Sequence, residues 1–407
     1  MFLFVSFVFL FLALATEHTI GSKLEYQNNL TAYLSSIENK RRHSIDLELR
    51  TLLIQEGYTS SIYPDLIHTL DQIAELGLEG LPLPLANKPF TKIYYCNEGA
   101  GTAHYTSDRF GFRNDDSKWD DAQNEQYHFL IGDSFVHGAC VGNHQHITHV
   151  MSETGRNFLN LGTGSNNPVH YASTVKIFVG TWKPKTVGIA FYPNDNDEKT
   201  KDQIVTLNPW YRSYIENDFS SEYFTPKKDE LSQSTLSAID KLEAYAFEQI
   251  DFDEKPIETI LQPAPSIWSY FSVRKIFSRQ FYLFPNLFAS FDALTQQSTS
   301  KNLPFSSALA IDSLAESCKA IRCHPYIVYI PNSIYWRPDS RAKQYKSALI
   351  DYAESKNVQF IDGELAIDKS SLDDYGSHGP HLSVTGYKKL SSLIVKEVTL
   401  NEKHRSK

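Results

Sequence analysis

From about residue 125 the chain alternates short apolar runs with amphipathic stretches. The apolar runs predict strands at 127–132, 157–161, 186–192, 326–331 and 358–362. Apolar positions at spacings of three and four predict helices after 145 and over 168–179, 306–321, 338–355 and 383–398. Strands separated by helices imply an α/β fold, a parallel sheet covered on both faces in three layers. Ahead of this, Ile45, Leu49, Leu52 and Leu53, then Leu66, Leu70, Ile73 and Leu76, predict helix within 23–83, closed by Pro82, Pro84 and Pro89. Residues 90–124 are polar, aromatic and glycine-rich, a pattern of short strands and loops. The strand–helix rhythm breaks between 199 and 305, where helices are expected at Leu231 to Ile250 and Ser266 to Ser278. Insertions of that length carry structure or function: a cap over a site, or a helical embellishment on the sheet edge.

The expected organisation is therefore a leader over 1–16, a helical and irregular lead-in over 17–124, and an α/β domain over 125–400 with its insertion. The leader rests on Met1 to Ala15, apolar except for Ser6 and ending in Ala13-Leu14-Ala15 before Thr16-Glu17. This fits a small-residue cleavage site. It is short for a membrane span and no Lys or Arg precedes it, so a cleaved signal and a retained anchor both stand as readings. Either implies an exported chain: periplasmic, secreted, or membrane-associated through that segment.

The chain has 407 residues, 41% apolar and 13% aromatic, enough for a large core and more than one structural unit. Its net charge of -9 with dispersed Lys and Arg excludes nucleic acid as the expected partner. Cys96, Cys140, Cys318 and Cys323 permit three disulfide pairings in an oxidising compartment, or free buried thiols. Cys96 with Cys140 is the preferred pair, because Cys140 follows a Gly-Asp-Ser turn and Cys96 sits in the loop-like Tyr95-Cys96-Asn97-Glu98-Gly99 stretch. No Cys-x-x-Cys spacing suggests zinc. His144, His146 and His149, with His137 nearby, lack Asp or Glu at ligand spacing, so the expectation is no metal and no cofactor.

The chemistry-bearing stretch is Phe129-Leu130-Ile131-Gly132-Asp133-Ser134-Phe135, a strand running into a turn that can hold a serine hydroxyl at a sheet end. It is followed in order by Asn160-Leu161-Gly162-Thr163-Gly164, Tyr192-Pro193-Asn194-Asp195 and His381-Leu382-Ser383. Ser134, Gly162 and Asn194 each lie just past a predicted strand, where ligands bind in open parallel sheets.

These blocks resemble those of SGNH (GDSL-type) hydrolases. The resemblance implies a flavodoxin-like sheet, with Ser134 as nucleophile and His381 as base. It implies an oxyanion hole from the Ser134 N–H, a backbone N–H of the second block and an Asn side chain. Asn194 matches that Asn best, with Asn196 as rival. Where the family usually has glycine in its second block this chain has Ser165, so Gly164 and Ser165 are both candidates. Where the family has Asp three residues before the histidine, this chain has His378. Asp373 or Asp374 could then orient His381 through the Tyr375-Gly376 turn, or a backbone carbonyl could do so and leave a dyad.

Tyr95-Cys96-Asn97-Glu98, Ser107-Asp108 with Gly111-Phe112, and Gly138-Ala139-Cys140-Val141 narrow the resemblance. They are similar to a bacterial SGNH group found among surface-polysaccharide genes, in which both cysteines tend to occur together and the Asp tends to be missing. That similarity supports the Cys96 to Cys140 pairing. It implies an exported esterase or deacetylase acting on an acylated carbohydrate or a small ester. Transfer of the acyl group to a sugar hydroxyl, or glycan binding without turnover, are the alternatives.

Overall fold

The computed structural model describes residues 53, 55–60, 77, 85–121, 127–196, 233, 236–241, 303–334, 341–377 and 379–405. The expected leader, most of the helical run 23–83, the Ser266 to Ser278 helix and His378 lie outside them. Of the helix expected at Leu231 to Ile250, residues 236–241 are helical. Among the described residues no helix is long and apolar enough to cross a membrane. The chain divides into two units, residues 1–59 and 60–407, and the sheet and every site residue discussed below belong to the second.

After a two-residue strand β1 (Thr59–Ser60), β2 (Lys92–Asn97) and β3 (Thr102–Thr106) form an antiparallel hairpin. The stretch expected as a loop from Tyr95 is thus strand as far as Asn97. Its pairing register slips between Tyr94 and Asn97, the irregularity that made it read as a loop.

The main sheet contains β4 (Tyr127–Gly132), β5 (Asn157–Gly162), β6 (Thr186–Phe191), β7 (His324–Tyr329) and β8 (Gln359–Asp362). All its pairings are parallel, in the order β5-β4-β6-β7-β8. This is the flavodoxin-like order, in which the chain steps to one side of its first strand and then to the other, leaving a crevice at the carboxyl end of that strand. Here the switch strand is β4.

Both faces are buried, as parallel sheets require. Phe129 and Ile131 of β4, with Val187 and Ile189 of β6, enter one core, while Leu130 and Ala190 enter the other. Each large apolar side chain buried this way contributes about 1.5–3 kcal/mol. The first core also takes in Leu85, Ala86, Phe110, Phe112 and Trp119 from the segment before β4. Phe110 packs edge-on against Trp119, Phe178 and Trp182.

The element boundaries follow local chemistry. The helix Pro168–Thr174 starts where the Asn167 side chain accepts the Val169 N–H and Pro168 needs no partner. It then widens into a π turn over Val175–Val179. β7 begins two residues before the apolar run suggests. His324 pairs with Thr186, and Pro325 is tolerated because pairing with β8 starts only at Tyr326. The last helix, Val384–Arg405, outruns its expected end.

Candidate active site

Ser134 is the first residue of a one-turn helix, Ser134–His137, that follows β4 directly. The Asp133 carboxylate caps it by accepting the Phe135 N–H at 2.9 Å, and Gly138 ends it in the left-handed conformation. The Asn160 side chain of β5 donates to the Val136 carbonyl at 2.7 Å and accepts the Gly162 N–H at 2.9 Å. It therefore fixes the nucleophile's helix to the second loop.

His381 enters on the segment before the last helix. Its Nε2 lies 2.8 Å from Ser134 Oγ, within reach for taking the hydroxyl proton. Its carbonyl accepts the Gly376 N–H at 2.7 Å, which fixes the segment beside Tyr375. The two residues predicted as nucleophile and base are brought together.

The orienting group is Glu98, which no local sequence pattern marks. Glu98, just past β2, places Oε1 2.8 Å from His381 Nδ1 and accepts the His381 backbone N–H on Oε2 at 2.9 Å. One carboxylate thus fixes both the ring and the chain that carries it. Its approach requires Gly379: a Cβ there would sit 1.9 Å from Glu98 Cδ. With Ser134 and His381 it completes a nucleophile–base–carboxylate relay.

Asp374 does not take this role. It is fully buried, accepts Lys389 Nζ at 2.6 Å on one oxygen and the Asp368 N–H at 2.9 Å on the other, and its carbonyl accepts the Ser383 N–H. It braces the loop rather than the ring. Asp373 is exposed to solvent. The physical reason is that both Asp374 oxygens are taken by Lys389 and the Asp368 N–H, while the hairpin brings Glu98 to the ring.

The signal for Glu98 was present in the cysteines. Cys96 and Cys140 form a disulfide across 44 residues, which carries the residue two beyond Cys96 to the loop just past Ser134. The remaining cysteines pair as Cys318–Cys323. The sulfurs of Cys96 and Cys140 and a nitrogen of His381 gather within 4.8 Å, but both sulfurs are used in the S–S bond and both ring nitrogens face Ser134 and Glu98. In the histidine cluster, His146 caps the helix Ile147–Ser152 through Nδ1.

The second loop follows β5 and carries Gly164 and Ser165. The Thr163 N–H is spent on the Gly132 carbonyl and that of Asn166 on the Thr163 carbonyl, which narrows the loop's donors to Gly164 and Ser165. Ser165 adopts φ +63°, the left-handed conformation that glycine would supply more cheaply. Gly164 is where glycine is needed, since a Cβ there would meet the Tyr95 ring at 2.6 Å. Of the two asparagines after β6, Asn194 lies near enough to Asp133, beside the nucleophile, to help hold its carboxyl down. Burial pushes Asp133 up to about 6, against the pull of the Phe135 N–H, nearby His381 and Asn194.

Beneath the site, burial holds His137 well below its ordinary value, assisted by the charge of Arg113. Its Nε2 meets the Tyr105 hydroxyl at 2.8 Å. Arg113 itself is buried and donates to the carbonyls of His137, Gly138 and Val141, clamping the loop that leads through Cys140.

No family model matches the chain, and no curated protein matches it. Among solved structures, the chain is similar to a lipolytic protein described as of the G-D-S-L family from Desulfitobacterium hafniense DCB-2, at 14% identity and TM-score 0.36. That match covers 67% of this chain and 99% of the other. It is also similar to Est24, a carbohydrate acetylesterase from Sinorhizobium meliloti, at 10% identity and TM-score 0.35, covering 68% and 99%. An aryl esterase from M. smegmatis matches at 10% identity and TM-score 0.35, covering 68% and 99%. At such identities the chain's own residues carry the functional reading.

Proposed function

We propose that this chain is a serine esterase of the SGNH hydrolase type. The observation that carries the reading is the unbroken relay from Ser134 Oγ through His381 to Glu98. In acylation, Ser134 Oγ bonds to the acyl carbon while its proton passes to His381 Nε2. Glu98 holds the Nδ1–H and faces the imidazolium that forms. The carbonyl oxygen gathers charge beside the Ser134 N–H, the Gly164 or Ser165 N–H and the Asn194 side chain. As the ester bond breaks, His381 returns the proton to the departing alcohol oxygen. Water then repeats the sequence on the acyl-serine: His381 takes its proton, the acid leaves, and the Ser134 hydroxyl is restored.

The acyl ester we assign is one on a carbohydrate, and the setting we assign is outside the cytoplasm. The sequence resemblance supports the first. Two disulfides and an apolar amino-terminal run support the second. A fluorophosphonate probe tests the core of the reading: the wild type labels and Ser134→Ala does not. Equal labelling of the two, or none of either, overturns it. Acetylated polysaccharide and p-nitrophenyl acetate are the substrates expected to turn over, and turnover of long-chain esters alone would reject the carbohydrate assignment.

A further inference from the structure

The disulfide lies against the catalytic histidine. Cys140 Sγ is 3.6 Å from His381 Nδ1, the same nitrogen that Glu98 holds at 2.8 Å. The other half of the bridge, Cys96, lies in the stretch of β2 where pairing with β3 slips, two residues before Glu98. Pairing resumes at Asn97 with Thr102, so the ladder holds the arm on either side of the slip but not at Cys96 itself. The Cys140 end is fixed: the Ala139 N–H returns to the Ser134 carbonyl at 2.9 Å, and Arg113 clamps the carbonyls on either side of Cys140. The bridge thus joins the irregular stretch of β2 to a clamped loop beside the site.

From this geometry we infer that the Cys96–Cys140 disulfide is a redox latch on the Glu98–His381 pair, so that opening it with a dithiol reductant uncouples the relay that activates Ser134. The inference rests on the proposed esterase reading and assigns that site a form of regulation.

The chemistry balances as thiol–disulfide exchange. A thiolate of the reductant bonds to the half-buried Cys96 sulfur. The Cys96–Cys140 bond breaks, and Cys140, only 1% exposed, leaves as a thiolate and takes up a proton. The second thiol of the reductant then displaces Cys96. The protein gains two electrons and two protons and the dithiol becomes a disulfide. No bond to Ser134 or His381 changes. The hairpin arm loses its covalent anchor, and a Cys140 thiol now stands beside Nδ1 in competition with the carboxylate.

The test uses the full-length chain carrying Cys318→Ser and Cys323→Ser, so that one disulfide opens. Dithiothreitol is added until thiol titration reports both cysteines. We expect kcat for p-nitrophenyl acetate to fall by about tenfold or more with KM little changed. The far-downfield proton resonance of an Nδ1–H shared with a carboxylate disappears, and reoxidation restores both. Glu98→Gln alone removes the same resonance, and adding Cys96→Ser with Cys140→Ser to it costs little further activity. Three results overturn the latch: free thiols with kcat and resonance intact, losses that add in full, or a resonance lost only together with the near-ultraviolet circular dichroism. An oxidised protein that neither turns over nor labels with fluorophosphonate, but whose resonance responds to reduction, rejects the esterase reading and leaves the latch standing.

Discussion

A serine hydroxyl attacks only when its proton has somewhere to go, and the base that receives it works only when one ring nitrogen faces the serine. In this chain the Glu98 carboxylate imposes that choice through two hydrogen bonds. Glu98→Gln keeps the shape and removes the charge that faces the imidazolium. Steady-state kinetics should show kcat lower by about a hundredfold to ten-thousandfold with a small change in KM. Asp374→Asn gives the contrary pattern, leaving kcat near wild type while denaturant unfolding reports a lower midpoint, because the buried carboxylate that accepts Lys389 and the Asp368 N–H is neutralised. Inverted results for the two variants would return the orienting role to the 373–374 turn. At this scale Ser134 and His381 were legible because a strand-end turn and a helix-entry histidine are local patterns. Glu98 was not, because its partner lies 283 residues away and only folding joins them. A second residue-scale expectation concerns Asp108, which accepts the Trp119 Nε1–H, the Asn114 side chain and the Phe110 and Phe112 N–H groups. Burial outweighs these donors and raises its carboxyl from 3.8 to about 6. The folded state therefore binds the proton more tightly than the unfolded chain. The stabilisation this group supplies is full below about pH 4 and is lost as pH rises to about 6. The penalty for Asp108→Asn, read from urea midpoints at constant m, should shrink by about 2 kcal/mol between pH 4 and pH 7. A penalty that does not vary with pH would show that the carboxyl titrates normally.

Elements place these residues, and the ones with strong apolar periodicity were the ones read correctly. β4, β5 and β6 are continuous buried runs, so their ends, and with them Ser134, Gly162 and Asn194, could be located. Three features escaped. β7 opens on His324 and Pro325, which no apolar pattern marks. The π turn at Val175–Val179 keeps the helical apolar spacing and changes only the backbone pairing. The hairpin β2–β3 carries Tyr95 and Cys96 in an irregular register that blurs strand alternation. That hairpin matters most, because Glu98 reaches His381 through a slot floored by Gly379. Gly379→Ala puts a methyl where the carboxylate group stands, so the arm must back away from the ring. We expect the kcat loss of Glu98→Gln to reappear in Gly379→Ala, with Ser134 still present for slow fluorophosphonate labelling. Wild-type turnover by this variant would mean that the slot is not needed.

Over the whole molecule, the sheet order puts the nucleophile on β4, the strand where the chain changes direction across the sheet, so loops from both sides converge on it. The α/β class was legible from the rhythm of strands and helices. The order of the strands was not legible from hydrophobic pattern, which says which segments are buried without saying which lie side by side; it came with the family resemblance, which implied the flavodoxin-like sheet. The disulfides add a constraint of the same long-range kind. In the chain-entropy account a bridge stabilises by removing freedom from the unfolded chain, and the effect grows with the loop it closes. Cys96–Cys140 spans 44 residues, Cys318–Cys323 only 5, and the second ties the last turn of the helix Phe305–Ile321 to the residue just past its end, where the Cys323 N–H already bonds the Cys318 carbonyl. The loop lengths correspond to about 4 kcal/mol and about 2 kcal/mol. Urea unfolding of the two paired Cys→Ser variants should therefore show the larger loss for Cys96→Ser with Cys140→Ser, by about 2 kcal/mol. Activity should separate them further. Cys318→Ser with Cys323→Ser lies at the opposite end of β7 from the site and keeps wild-type kcat wherever it is folded. Equal stability losses would mean that the long bridge closes a segment already ordered in the unfolded chain.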